Sequence, residues 1–254
     1  MGAVSDPEYQ TPKRTQPVSD LRSDTAKSNE DPVKWAVSQS PVDYQAALAA
    51  MEARVRQIKD GTAPEMVWLL EHPALYTAGT GAKAHDLLNP DALPVYWTGR
   101  GGQFTYHGPG QRVVYVMMDL KTRFGGDVGA YTRTLERWLI STLAIFDVSA
   151  TTRAGKTGVW IAAGEASNGP IDAKIAAIGL RIRHGISFHG VSINVDPNLA
   201  HYNGIVPCGL AGSAVTSLSA LGKAVSMWDV DRALKQTFAA TFGVTLSNGG
   251  ASVL

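Results

Sequence analysis

Cysteine is almost absent from this chain: 254 residues contain one, Cys208. A single thiol closes no internal disulfide, so a disulfide scaffold is excluded. The six histidines show no HExxH spacing, and with no second cysteine a metal site is not expected. An excess of one charge is lacking too. Lys and Arg number 23 against 22 Asp and Glu, a net charge of +1, which offers no footprint for nucleic acid. No apolar run approaches the roughly 20 residues of a membrane-spanning helix. No signal-like apolar segment opens the chain. The phosphate-binding pattern GxxxxGK[ST] is missing, since Gly110 is followed by Gln111 and Arg112. Gly155-Lys156-Thr157 resembles its end, but Ala150 stands where the first glycine is required. These absences predict a soluble, cytoplasmic protein that binds neither nucleic acid nor membrane.

What is present suits a globular domain. Hydrophobic residues reach 44% and charged residues only 18%, enough to build a sizeable core. Residues 1–34 are polar and predict a flexible tail ahead of one domain, 35–254. Tyr44, Ala47, Leu48, Met51, Val55 and Ile58 recur at helical spacing and stop at Gly61. A second helix is predicted over 128–146, and a third over 230–242 with Asp229 as N-cap. Strands are predicted at 66–70, 75–77, 95–97, 113–120, 158–162, 175–182 and 186–195. Helices separated by runs of strands, without regular alternation, predict an α/β fold of the α+β type. No internal repeat or linker divides residues 35–245.

The densest signal is the stretch 100–111, RGGQFTYHGPGQ. From Gly99 to Gly110 five glycines fall within twelve positions. Glycine frees the backbone for φ > 0 or for close approach to a ligand. The stretch reads either as a binding cradle beside a buried strand or as a Gly-rich hairpin with a Pro-Gly turn. Cys208 lies in IVPCGL, where Pro207 and Gly209 shape a sharp turn. It reads either as a nucleophile with backbone N–H groups nearby or as a small buried hydrophobe. A working thiol needs a neighbouring cation or base. Lys174, flanked by apolar residues, is one candidate: it either snorkels to water or is held inside by function. His184, His189 and His201 are others. A Cys–His–Asn set can also be written with His107 or His201 and Asn194 or Asn203, but the flanks of Cys208 match no peptidase signature.

Four segments taken together resemble the octanoyltransferase family of lipoate biosynthesis. They are RGGQFTYHGPGQ at 100–111, GKTGVW at 155–160 with KIAAIG at 174–179, ISFHGVSIN at 186–194, and PCGL at 207–210 followed by VTSL. The resemblance covers about residues 45–220. It implies a single domain with a mixed, largely antiparallel sheet flanked by helices, similar to the catalytic domains of lipoate and biotin protein ligases. It implies that octanoyl passes from octanoyl-acyl carrier protein, through a thioester on Cys208, to a lysine of lipoyl domains or of the glycine-cleavage H protein. Lys174 would lower the thiol pKa. Arg100, Gly101, Gly102, Gln103, Phe104, Thr105, Tyr106, His107, Ala177, Ile178, Gly179, Gly190, Val191 and Ser192 would contact substrate. His107 would shape the pocket rather than react. No cofactor and no metal are implied, and a monomer is expected. Lys121, Arg123, Arg153 and Arg183 are candidates for docking acidic protein partners. The polar stretch 163–171 looks like an insertion and receives no role. The alternatives are an ATP-dependent lipoate-protein ligase of the same fold and a non-catalytic acyl-binding module.

Overall fold

A computed structural model describes residues 31–162, 172–206 and 214–249 of the chain. The chain first pairs in β1 (Val33–Val37) and then forms α1 (Tyr44–Lys59). Asp43 caps α1 by accepting from the Ala46 N–H at 2.9 Å, and Tyr44, Ala47, Met51, Val55 and Ile58 form its buried stripe. β2 (Met66–Leu70) and β3 (Leu75–Ala78) are buried throughout. β4 (Val95–Trp97) and β5 (Phe104–His107) flank β3 in a small separate sheet ordered β4-β3-β5. β6 (Gln111–Met117) returns to the main sheet. Next come α2 (Leu120–Phe124) and α3 (Val128–Ala144), each capped by an aspartate, Asp119 and Asp127. The remaining elements are β7 (Thr151–Arg153), β8 (Lys156–Ile161), β9 (Ala173–Arg183), β10 (Ile186–Asn194), β11 (Ala214–Val215), α4 (Met227–Phe242) and β12 (Leu246–Asn248).

The main sheet runs β12-β1-β2-β6-β10-β9-β8-β7, with β11 added beside β9. Its centre is antiparallel: β2 on β6, β6 on β10, β10 on β9. Parallel pairing occurs at β1 with β2 and with β12, and at β9 with β11. One face packs under α3 and α4 through Leu135, Trp138, Leu139, Leu234 and Phe238. The other packs under α1 through Met51, Val55, Trp68, Tyr115 and Phe188. The fold is therefore mixed α/β, with a largely antiparallel sheet between helices, as predicted.

Four local expectations change. Val33 and Lys34, assigned to the tail, belong to β1, and Val33 is fully buried against β12 more than two hundred residues away. Residues 104–107, read as part of a loop, form β5, because they pair with β3. Leu120 starts α2 rather than ending a strand, since Asp119 caps the turn there. Ser226 is the N-cap of α4, and Asp229 is the reciprocal third residue of a capping box. The rest of the predicted tail, 1–30, and the insertion-like stretch 163–171 lie outside the described residues.

Candidate active site

A cavity of about 430 Å³ opens where the small sheet meets β9 and β10 of the large one. Three stretches supply most of its lining. The glycine-rich stretch contributes Arg100, Gly102, Gln103, Phe104, Thr105 and His107. β9 contributes Lys174, Ala177, Ile178 and Gly179, and β10 contributes Gly190, Val191 and Ser192. The register explains the grouping. Ala177, Ile178 and Gly179 pair with Ser192, Val191 and Gly190, so both strands present their wall at one level. Two residues expected at substrate stand elsewhere. The Gly101 N–H donates to the Leu180 carbonyl at 2.7 Å, which pins the loop to β9. Tyr106 stacks on His201 with centroids 5.1 Å apart and packs edge-on against Tyr76 and Tyr202.

Arg100 is buried, and its guanidinium is committed to the loop. It donates to the Thr77 hydroxyl and carbonyl, to the Gln103 carbonyl at 2.8 Å and to the Gly101 carbonyl at 2.9 Å. One cation thus ties β3 to the turn before β5. Gly79 makes the turn possible, because a Cβ there would sit 2.3 Å from the Gly102 oxygen and 2.8 Å from Arg100 Nη1.

Lys174 is only 8% exposed. Its Nζ donates to the Thr157 carbonyl at 2.9 Å and lies 4.7 Å from the centroid of the Trp160 ring. It is held inside rather than snorkelling. Gly158 leaves the space: its φ is +118°, and a Cβ there would lie 3.3 Å from Lys174 Nζ and 2.7 Å from the Ala176 oxygen. Cys208 lies outside the described residues. The chain resumes at Ala214, and Val215 of β11 pairs directly with Lys174.

A polar network ties the walls together. His107 Nδ1 donates to Gln111 Oε1 at 2.7 Å, so its Nε2 is left to accept from the Thr77 hydroxyl at 3.4 Å. Gln111 Nε2 donates to Tyr106 O and to Asn194 Oδ1, and Asn194 Nδ2 donates to the Thr216 carbonyl beyond β11. Burial lowers His107 to a pKa of about 3, with His72 and Arg100 adding to the effect. An imidazole so depressed and so fully bonded holds the pocket in shape. Asn194 and His107 meet through Gln111, as parts of this frame. His201 stacks on Tyr106 instead of lining the cavity, and His184 ends β9 at an exposed turn.

Sequence reasoning gave no role to Tyr44, Tyr115 or Thr157, all of which line the cavity, as does His189, considered only as a base for the thiol. Their spacing looks like core or strand, and only the folding together of α1, β6, β8 and β10 brings them in. Three of the four candidate docking cations have carboxylate partners: Arg123 with Glu65, Arg153 with Asp172, and Arg183 with Glu52 at 3.8 Å. Among the described residues no cluster of His, Cys, Asp and Glu could hold a metal, and no helix is long and apolar enough to cross a membrane.

The catalytic-domain family of lipoyl protein ligases A and B matches residues 43–239. The octanoyltransferase of Paramagnetospirillum magneticum is 58% identical over 212 residues, 84% of this chain and 98% of that protein. The chain belongs to the octanoyltransferase family. As such it is an acyltransferase. The octanoyltransferase of Parvibaculum lavamentivorans is 59% identical over 210 residues, 83% of this chain and 92% of that one. A solved structure of a putative lipoate protein ligase from T. acidophilum, with bound lipoic acid, shares the fold at TM-score 0.69 and 17% identity, covering 86% of this chain and 89% of that one. In this octanoyltransferase the glycine-rich stretch and the lysine strand line one cavity.

Proposed function

We propose that this acyltransferase moves an octanoyl group from octanoyl-acyl carrier protein to a lysine of lipoyl domains or of the glycine-cleavage H protein, through a thioester on Cys208. The observation that carries the reading is Lys174, buried in the wall of an apolar cavity between a carbonyl and an indole ring. Connectivity supports its pairing with Cys208, which stands six residues before Ala214, whose strand runs beside Lys174.

In this reading the Cys208 thiolate, stabilised by the Lys174 ammonium, attacks the carrier thioester. The carbon–sulfur bond to the carrier breaks, and the departing carrier thiolate takes a proton from Lys174. The acceptor lysine then attacks the enzyme thioester as a free amine. Its surplus proton passes to Lys174, and the Cys208 thiolate leaves, which restores the starting pair. The groove along Ala177, Ile178 and Val191 receives the chain, and each buried CH₂ adds about 0.8 kcal/mol.

Intact mass spectrometry after mixing with octanoyl-acyl carrier protein tests the reading. One octanoyl group should be added to the wild type and none to Cys208→Ala. A wild type that stays unacylated would remove the thioester route.

A further inference from the structure

Two imidazoles, His107 and His189, line the cavity and a third, His72, packs against His107 and Tyr115; they are not alike. His107 has both ring nitrogens engaged, as described. So does His72: its Nδ1 donates to the Val42 carbonyl at 2.6 Å, and its Nε2 accepts from the Tyr115 hydroxyl at 2.6 Å. His189 makes no side-chain hydrogen bond among the described residues, although it is only 2% exposed and its Nε2 is fully buried.

Its backbone is unusual as well. His189 has φ +59° in the middle of β10, a region that non-glycine residues seldom adopt. The strand keeps a single register against β9 through His189, so nothing is inserted there, whereas its pairing with β6 starts only at Gly190. What changes is where the ring goes. Neighbouring strand residues normally face opposite sides of a sheet. Here the His189 ring stacks beside Phe188 with centroids 5.0 Å apart and meets the edge of Tyr115 at 6.0 Å. Strain of this sort persists where the surroundings enforce it, and it gathers at ligand sites.

Position suggests what the ring meets. His189 pairs with Leu180, six residues along β9 from Lys174, a separation of roughly 20 Å at ~3.3 Å per residue. Lys174 and His189, at the two ends of that span, both line the cavity. Between them lie Ala177 and Gly179, against which a chain of eight carbons would run. Resting on the octanoyl-transfer reading, we infer that His189 is a specificity residue that hydrogen-bonds a polar group at the far end of the acyl chain, so that the cavity also takes eight-carbon chains ending in a hydroxyl. Burial lowers the His189 pKa to about 3, with Arg100 and Arg181 adding to the effect. The neutral ring offers a donor at one nitrogen and an acceptor at the other, and a hydroxyl, which both donates and accepts, can pair with whichever nitrogen it meets. A wall without such a partner would weaken binding of a buried hydroxyl by roughly tenfold or more.

Calorimetry on the full chain with octanoate and 8-hydroxyoctanoate tests the assignment independently of transfer. The variants are His189→Gly, which accepts positive φ without strain, and His189→Asn, which tolerates it and keeps a donor and an acceptor. The wild type should bind the hydroxy acid within tenfold of octanoate. His189→Gly should worsen that ratio at least fivefold, and His189→Asn should return it toward the wild-type value. A wild-type penalty above tenfold, a smaller change in His189→Gly, or no binding of either acid overturns the assignment. Should His189→Gly fail to fold, the wild-type and His189→Asn ratios decide. A missing octanoyl adduct with an intact binding ratio would strike the transfer chemistry alone.

Discussion

At one end of the cavity a lysine amine is held against the Thr157 carbonyl and the Trp160 ring; at the other, burial lowers three imidazoles to pKa values of about 3 to 4. Both ends bury polar groups that water would otherwise solvate. The Lys174 end does so by supplying partners, in space that Gly158 leaves free. The histidine end does so by keeping rings neutral and, for His72 and His107, by engaging both nitrogens. In the proposed transfer, the difference separates a lysine that would handle protons from neutral rings that would shape the pocket or meet the acyl chain.

Loss of the lysine breaks the comparison most severely. Lys174→Met keeps bulk without the amine, and it should slow octanoyl transfer about a hundredfold to ten-thousandfold in single-turnover assays. Transfer within threefold of wild type would mean the amine is not used. The next effect comes from crowding the lysine without removing it. Gly158→Ala puts a methyl group 2.7 Å from the Ala176 oxygen at a backbone angle alanine avoids. It should cost about 1–3 kcal/mol of stability in denaturant unfolding and slow transfer in the same direction as Lys174→Met. Gly79→Ala should instead disturb the Arg100 loop and weaken octanoate binding, with a similar loss of stability.

Acidification probes the opposite end. Unfolded imidazoles take up protons near pH 6.5, whereas His72 resists to about 4 and His107 and His189 to about 3. Below pH 6.5 the unfolded chain binds more protons, so stability falls as pH drops through that window. Asp231 opposes this: burial raises its pKa to about 6, so its contribution is present at low pH and fades as pH rises through 6. Three imidazoles outweigh one carboxylate, and the melting temperature should decline from pH 7 to 5. His107→Gln should flatten the slope; an unchanged slope would mean His107 does not resist protonation. The smallest effect belongs to the rim. Arg183→Ala removes an exposed pair at 3.8 Å and should change stability by no more than about 0.5 kcal/mol in denaturant melts.

Much of this was legible in the chain. Strand β2 and helix α1 are written in apolar runs and spacing, and the glycine-rich stretch names itself. Short elements with distant partners were not. β1 and β12 are five and three residues long, and each is a strand only because the other, or β2, lies beside it. β5 hid in the glycine-rich stretch for the same reason. His189 reads in the sequence as one of several candidate bases for the thiol, and its φ and its unbonded ring are seen only in the fold.

The sequence by itself determined the elements whose signal is local: helices with capped ends and one apolar stripe, buried strands, and a glycine-rich turn that only small residues could make. It also supplied the residue types that acyl transfer requires. Only the tertiary structure decided that Lys174 is buried, that Arg100 serves the loop, and which imidazoles share the cavity. Those facts depend on register between strands far apart in the chain. Burial and bonding, which set what a lysine or a histidine can do, are properties of that packing rather than of any one segment.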